Sequence, residues 1–235
     1  MNITPFFAKA FQELDKKMQG ILNGTKIESI KETISYYALA SALASMAAAI
    51  IPGGGGLIAA LTQTGFVWVT YVKINRTIGL SMSDETARFL GNAILTNLAT
   101  NFGAYIAGHI FAGVIALIPV AGSALAVAAE GIIGYTVIYA SAYIYLKLIT
   151  RVARPDGTID VADKDKTSNI IKEIMKREDI KGLIKEGAKQ FKEAQNNGAL
   201  DAVKAMNRCP NCGTPYEEGA HFCSECGCDL TKPKN

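Results

Sequence analysis

Four cysteines near the C-terminal end of the chain have the spacing of metal ligands. They form two Cys-x-x-Cys pairs separated by ten residues, Cys209 with Cys212 and Cys223 with Cys226. Each pair can supply two thiolates to the same ion. Four sulfurs arranged as a tetrahedron at ~2.3 Å form a ligand set that zinc accepts. The sequence therefore predicts one structural zinc ion, with rubredoxin-type iron as the alternative. A site closed by four thiolates has no open position for hydrolytic chemistry.

The segment that carries these cysteines resembles the short zinc-ribbon family, through "CPNCG" and "FCSECG" within residues 208–230. It is too short to bury a sufficient core, so metal binding would supply its folding energy. Residues 209–235 hold four acidic residues against two lysines, which disfavours nucleic acid and favours a protein partner. His221 and Cys228 are left over. We interpret His221 as a loop residue and Cys228 as a bystander or an alternative ligand.

Cysteine usage and charge limit the remaining possibilities. All five cysteines lie between residues 209 and 228, an odd number that indicates thiols in a reducing compartment rather than a disulfide framework. The net charge of +3 implies no nucleic-acid or acidic partner for the whole chain. Residues 1–20 lack a continuous apolar stretch and a cleavage site, so we predict no signal peptide.

An all-α fold is predicted for the rest of the chain. Thr4-Pro5 begins an amphipathic helix within residues 1–24, which either packs on other helices or lies on a membrane surface. Thr25-x-x-Glu28 has the pattern of a capping box and would begin the next helix.

Residues 25–154 are predicted to form two antiparallel helical hairpins. Their apolar helices occupy residues 34–51, 57–74, 102–118 and 123–149, with turns at "PGGGG" and "PVAG". Each is close to the ~20 residues that cross ~30 Å of hydrocarbon. Basic residues lie only away from the turns. The positive-inside rule places basic residues on the cytoplasmic side, so it predicts membrane-embedded hairpins with both termini cytoplasmic. A soluble Ala-rich bundle is the alternative.

Two stretches of these hairpins, "IPGGGGLIAALTQTGFVWVTYVKI" and "ALIPVAGSALAVAAEGIIGYTVIYASAYIY", are similar to domain of unknown function 697. The resemblance covers residues 34–150. It implies a bacterial, membrane-associated helical domain of a kind often attached to GTPase domains, and suggests a GTPase or similar partner on another chain. We expect the inner membrane as its location. The resemblance implies no GTPase activity here, because the chain has no G-x-x-x-x-G-K-[ST] loop.

Residues 155–207 are predicted to form a charged helical spacer before the zinc ribbon at 208–230. Apolar residues recur there at helical spacing among lysines and glutamates, which predicts a solvated helix of mixed charge. The chain has no Ser-His-Asp elbow, no H-E-x-x-H and no glycine-rich nucleotide loop. We therefore predict that the protein is not an enzyme.

His109 and Glu130 are ionisable residues inside the second hairpin. If the hairpin turns near residue 120, the two lie at nearly the same depth and can form a pair. Such a pair is either an ion or proton site or a hydrogen-bonded lock between helices. The two side chains facing apart is a further alternative.

These features predict a non-enzymatic membrane anchor or adaptor that presents the zinc ribbon to a protein partner. The first alternative is a membrane-perturbing or channel-like homo-oligomer, since spacings such as Ser41-x3-Ser45 permit close helix contact in lipid. The second alternative is a soluble helical-bundle interaction protein.

Overall fold

The structure is a computed structural model that describes most of the chain. It describes residues 4–18, 20, 22–50, 55–115, 123–154, 156–161, 163–209, 214–216, 219–223 and 227–231, with side chains except at 55–62, 104–115 and 123–126. The chain divides into two compact units, residues 1–193 and 194–235.

Helices account for nearly all of the regular structure, as predicted. In chain order they are α1 (Pro5–Lys17), α2 (Gly24–Ala48), α3 (Gly55–Ile78), α4 (Asp84–Ile115), α5 (Ser123–Val152), α6 (Lys164–Arg177), α7 (Ile180–Asn196) and α8 (Ala199–Ala205). Two short antiparallel strands follow, β1 (Asn207–Arg208) and β2 (Pro215–Tyr216). Both predicted hairpin turns, at 52–56 and 119–122, involve residues outside those described.

The helix starts follow local hydrogen bonding. Ser83 caps α4, because its hydroxyl accepts from the backbone N–H of Thr86 at 3.2 Å. The predicted capping box at Thr25 is wrong: Asn23 is the N-cap of α2, and its side-chain oxygen accepts from the N–H of Lys26 at 2.9 Å. Asparagine is as good an N-cap as serine or threonine, so the earlier position can begin the helix.

Helix α5 lies at the centre of the first unit, in contact with α1, α2, α3, α4 and α6. Among the described residues, one helical segment, Val127–Val152, is long and apolar enough to cross a membrane. Within its apolar window, 94% of the residues are buried inside the protein. A core helix of a protein in water has the same length and composition, so membrane-embedded hairpins remain a prediction.

The ends of α2, α3, α4 and α5 that flank the two turns lie at the same end of the bundle. Gln63 on α3 donates to the hydroxyl of Ser45 on α2 at 3.1 Å, which aligns these two helices antiparallel. Gly131 on α5 lies against Met46 near the end of α2. Gly91 on α4 faces α3, antiparallel across the short connection at residues 79–83.

Small residues bring α2 and α5 very close together. A Cβ atom at Gly134 would lie 2.7 Å from the backbone oxygen of Ser41 and 2.6 Å from the hydroxyl of Ser45. Serine on α2 and glycine on α5 therefore set the distance between these helices. The predicted Ser41-x3-Ser45 spacing makes a contact within the protein.

The helices of the predicted spacer pack on the bundle, which differs from a helix solvated on all sides. Gly187 on α7 lies against Tyr139 and Thr136 of α5, and the ring of Phe191 contacts Tyr135 with ring centroids 5.7 Å apart. The apolar stripe of α7 explains this packing, because burying it against α5 removes apolar surface from water. The boundary between units accordingly falls after Glu193.

One buried ionic cluster joins α5 to the charged helices. Lys147 is 5% exposed and pairs with Glu13 of α1 and with Glu178, which it approaches at 2.9 Å. Tyr143 also donates to Glu178, at 2.5 Å. Burial alone would raise the pKa of Glu178, but the hydrogen bonds from Lys147 and Tyr143 lower it. Burial opposes the charge of Lys147, yet its two carboxylate partners raise its pKa.

We expect Gly134→Ala to destabilise the first unit by about 1–3 kcal/mol, because the new methyl group must displace the backbone of α2. The control is Gly103→Ala, where no atom lies within 4 Å of the added Cβ and the helix should gain about 0.5–1 kcal/mol. Urea unfolding followed by fluorescence of the single tryptophan, Trp68, measures both. Equal effects of the two substitutions would contradict the close approach.

We expect Lys147→Met to lower the free energy of unfolding by about 2 kcal/mol at pH 7. This is less than the ~3–5 kcal/mol of a fully buried broken pair, because Glu13 is partly exposed. The control is Arg154→Met, which removes an exposed pair with Asp160 and should cost under ~1 kcal/mol.

The effect of Lys147→Met should also depend on pH. A carboxylate whose pKa is lowered in the folded state stabilises above its unfolded pKa of ~4.3, and this stabilisation disappears as pH falls through the lowered value. The difference between wild type and variant in urea unfolding should therefore shrink below about pH 4. A difference that stays constant down to pH 3 would show that Glu178 contributes nothing through its charge.

Candidate metal centre

Cys209, the first cysteine of the first pair, follows strand β1 of a short antiparallel β1–β2 pairing in the second unit. Strands β1 and β2 pair Asn207 with Tyr216 and Arg208 with Pro215. The N–H of Cys209 donates to the carbonyl of Thr214 at 2.9 Å, which closes the loop between the strands. Cys209 is 2% exposed. Cys212 lies within this loop and outside the described residues.

Cys223, the first cysteine of the second pair, has the same backbone pairing as Cys209. The N–H of Cys223 donates to the carbonyl of Cys228 at 2.9 Å, and Phe222 forms an antiparallel bridge with Asp229. Gly227 has φ of +67°, and its N–H donates to the carbonyl of Cys223 at 2.9 Å. Glycine suits this left-handed position because a side chain there is strained. Cys226 lies outside the described residues.

The two hairpins have equal register. In each, the first cysteine donates to the carbonyl five residues later, and the residue before it pairs with the residue seven later. Cys228 therefore occupies the place that Thr214 occupies in the first hairpin. Threonine is not a zinc ligand of this class of site, so the equivalence favours Cys228 as a bystander.

The described part of the site fits a thiolate-bound ion. Cys209 and Cys223 are both buried, at equivalent positions of two hairpins whose loops carry the second cysteine of each pair. Within the described ranges, which do not include Cys212 and Cys226, no group of three or more potential metal ligands is found. If zinc binds here, these four cysteines would hold it, and it would supply cross-linking rather than catalysis.

The structure describes the side chains of His221 and Glu130 but not that of His109. His221 is exposed outside any helix, and its carbonyl accepts from the N–H of Leu230 at 2.9 Å. The side chain of His109 lies outside the described residues. Glu130 is half-buried, and burial raises the pKa of its carboxyl group. The pairing of His109 with Glu130 stays a prediction.

Sequence reasoning missed two arrangements in the first unit. One is the cluster of Lys147 with Glu13 and Glu178, for which a lone lysine after the uncharged run 131–146 was an available signal. The other is the guanidinium of Arg88, which lies over the ring of Trp68, 4.6 Å from its centroid. No sequence spacing marks that contact, because it joins two different helices.

Comparison with known protein families matches residues 208–230 to the zinc-ribbon domain. This match supports the predicted ribbon and metal binding in general terms. The resemblance of residues 34–150 to domain of unknown function 697 has no such match and stays a prediction. Searches of curated proteins and of solved structures found no similar chain.

We expect purified protein to contain one zinc ion per chain, and Cys223→Ser to lose most of it. The control is Cys228→Ser, which should retain zinc because that position corresponds to Thr214. Metal analysis by mass spectrometry measures the stoichiometry. Chelation should unfold the second unit while leaving the fluorescence of Trp68, in the first unit, unchanged. Zinc loss in both variants would show that Cys228 is a ligand.

Proposed function

We propose that the protein is a non-enzymatic, membrane-associated adaptor. The bundle of residues 1–193 contacts lipid through the end that carries the hairpin turns. The zinc ribbon at 208–230, closed by one zinc ion on Cys209, Cys212, Cys223 and Cys226, offers a docking module to a partner protein. By the resemblance of residues 34–150, that partner is a GTPase on another chain.

The observation that carries this proposal is the distribution of charge along α2 to α5. Residues 33–72 and 89–129 contain no Asp, Glu, Lys or Arg. The charged residues of these helices lie toward the opposite end, apart from Glu130 on α5. A water-exposed helix end without charge is uncommon, whereas a lipid-facing one excludes charge for energetic reasons.

The exposure of Ile50 also supports a lipid-facing end. Ile50 follows the end of α2 and is 70% exposed. Transfer of such a side chain from water into hydrocarbon is favourable by about 1.5–3 kcal/mol. The adaptor part of the proposal is supported by the acidic ribbon sequence, which disfavours nucleic acid as its partner.

A second candidate is a soluble helical-bundle interaction protein. The observation that favours it is the burial of Val127–Val152 in α5, the one segment among the described residues that is long and apolar enough to cross a membrane. Protein, rather than lipid, covers this helix. Lipid contact through the turn end alone does not require α5 to be exposed, so this observation does not exclude the adaptor proposal.

Flotation with liposomes decides between the two candidates. We expect the wild-type protein to float, and Ile50→Lys to reduce the bound fraction at least about tenfold, because a lysine in hydrocarbon costs about 2.5 kcal/mol. Ile50 is exposed, so the substitution should leave the unfolding midpoint unchanged.

Two controls distinguish lipid contact at the turn end from non-specific adsorption to the liposomes. Met206→Lys alters another exposed apolar side chain, in the second unit, and should float like wild type. Cys223→Ser should also float, since the ribbon is not the lipid-binding part. Absence of flotation for wild type would favour the soluble bundle, and equal loss in Ile50→Lys and Met206→Lys would contradict the assignment of the turn end.

A further inference from the structure

A cavity of about 220 Å³ opens between α3 and α4 on the surface of the bundle. Its lining is mostly apolar in area and contains no acidic residue. The residues that line it are Thr64, Gly65, Trp68, Arg88, Gly91 and Asn92. The zinc ribbon and the ionic cluster at Lys147 use none of them.

The polar groups of this cavity are mainly hydrogen-bond donors. Arg88 makes a cation–π contact with Trp68, and no carboxylate among the described residues lies within 4.0 Å of it, although Asp84 and Glu85 lie one turn earlier on α4. The indole Nε1 of Trp68 is buried and has no hydrogen-bond partner among those residues. Asn92 adds an exposed amide. An anion in the cavity could accept hydrogen bonds from the guanidinium of Arg88 and from the amide of Asn92.

Two glycines keep the cavity open. A Cβ at Gly65 would meet no atom within 4 Å, so the space over this part of α3 is empty. A Cβ at Gly91 would only reach ordinary contact with Val67 and Tyr71. A ligand can therefore approach the backbone of α3 at Gly65, in a cavity that is also lined by Arg88.

The cavity lies at the border of the uncharged part of the bundle. Arg88 directly precedes the uncharged run 89–129, and Thr64 to Trp68 lie near the end of the uncharged run 33–72. A ligand bound here would place its charged group beside Arg88 and its apolar part toward residues that carry no charge. These requirements describe an anionic amphiphile.

We propose that this cavity binds the phosphate group of an anionic phospholipid, with Arg88 as the cation that contacts it. The proposal rests on the proposed membrane association and assigns it a lipid preference. Arginine suits the role because its planar guanidinium can contact two phosphate oxygens while it stacks on an aromatic ring. Trp68, an amphipathic ring, suits the level of the lipid headgroups.

The single tryptophan reports binding directly. The probes are dihexanoyl-phosphatidylglycerol below its micelle concentration, dihexanoyl-phosphatidylcholine as the neutral lipid, and inorganic phosphate. We expect a saturable change in Trp68 fluorescence with the anionic lipid, at least about tenfold tighter than with phosphatidylcholine, whose choline ammonium would add a positive charge near Arg88, or with phosphate, which has no acyl chain for the apolar lining. Equal affinity for phosphate would overturn the lipid assignment, as would no response.

Three variants test the role of Arg88. Arg88→Gln should weaken binding of the anionic lipid about tenfold or more, and Arg88→Lys, which keeps the charge but loses the planar group, should weaken it less. The matched control is Lys164→Gln: it removes one positive charge that also lies over a ring, that of Phe89, 5.5 Å from its centroid, outside the cavity lining. If Arg88→Gln and Lys164→Gln weaken binding equally, the effect comes from the loss of one positive charge and not from a contact in the cavity, which would overturn the proposed site.

Liposome flotation separates this inference from the proposed function. If both are right, Arg88→Gln floats like wild type on phosphatidylcholine vesicles and loses the preference for vesicles with phosphatidylglycerol. Flotation with no such preference would overturn the lipid site alone. A fluorescence response to the short-chain anionic lipid without flotation would overturn the membrane proposal and keep the site.

Discussion

The ammonium group of Lys147 is a formal charge in a helix whose apolar window is 94% buried, and α5 cannot neutralise it alone. Residues 131–146 supply no carboxylate, so the partners come from other elements, Glu13 on α1 and Glu178 between α6 and α7. An unpaired charge at this depth would cost several kcal/mol. The first helix and the charged helices near the end of the first unit therefore have to meet α5 at one place.

Tyrosines give α5 further specific contacts with the same neighbours. Tyr139 shares a hydrogen bond with Thr4 at 3.1 Å, and Tyr143 donates to Glu178. On the other side, Tyr145 donates to Asn75 of α3 at 2.6 Å and stacks on Tyr71 with centroids 3.9 Å apart. Each ring buries apolar area and presents one polar atom, which requires a partner. A helix that is apolar by composition is thus fixed in rotation by its hydroxyl groups.

The sequence allowed prediction of the elements but not of their partners. Proline, glycine and capping residues mark where helices begin and end, and these signals act within one turn, as the hydroxyl of Ser83 does. Lys147 and Glu13 are 134 residues apart, and no local pattern specifies such a pair. The apolar stripe of α7 predicted a helix correctly, but a stripe does not say whether its partner is water, lipid or α5. The cysteine spacing predicted the ribbon because all four candidate ligands lie within one short segment.

Small residues in a helix indicate close packing on a neighbour, whereas a long stretch without charged residues indicates surroundings that exclude water. The approach of Ser41 and Ser45 to Gly134 shows that small side chains report the distance between two backbones. That distance is useful in lipid and in a protein core, so the spacing does not distinguish them. Charge distinguishes a surface that faces water from one that faces lipid, because lysine and glutamate at a helix end are stable in water and costly in hydrocarbon. The uncharged runs 33–72 and 89–129 are long enough to include both the covered core of the bundle and its turn end. Core burial accounts for the first part, and the proposed contact with lipid would account for the second.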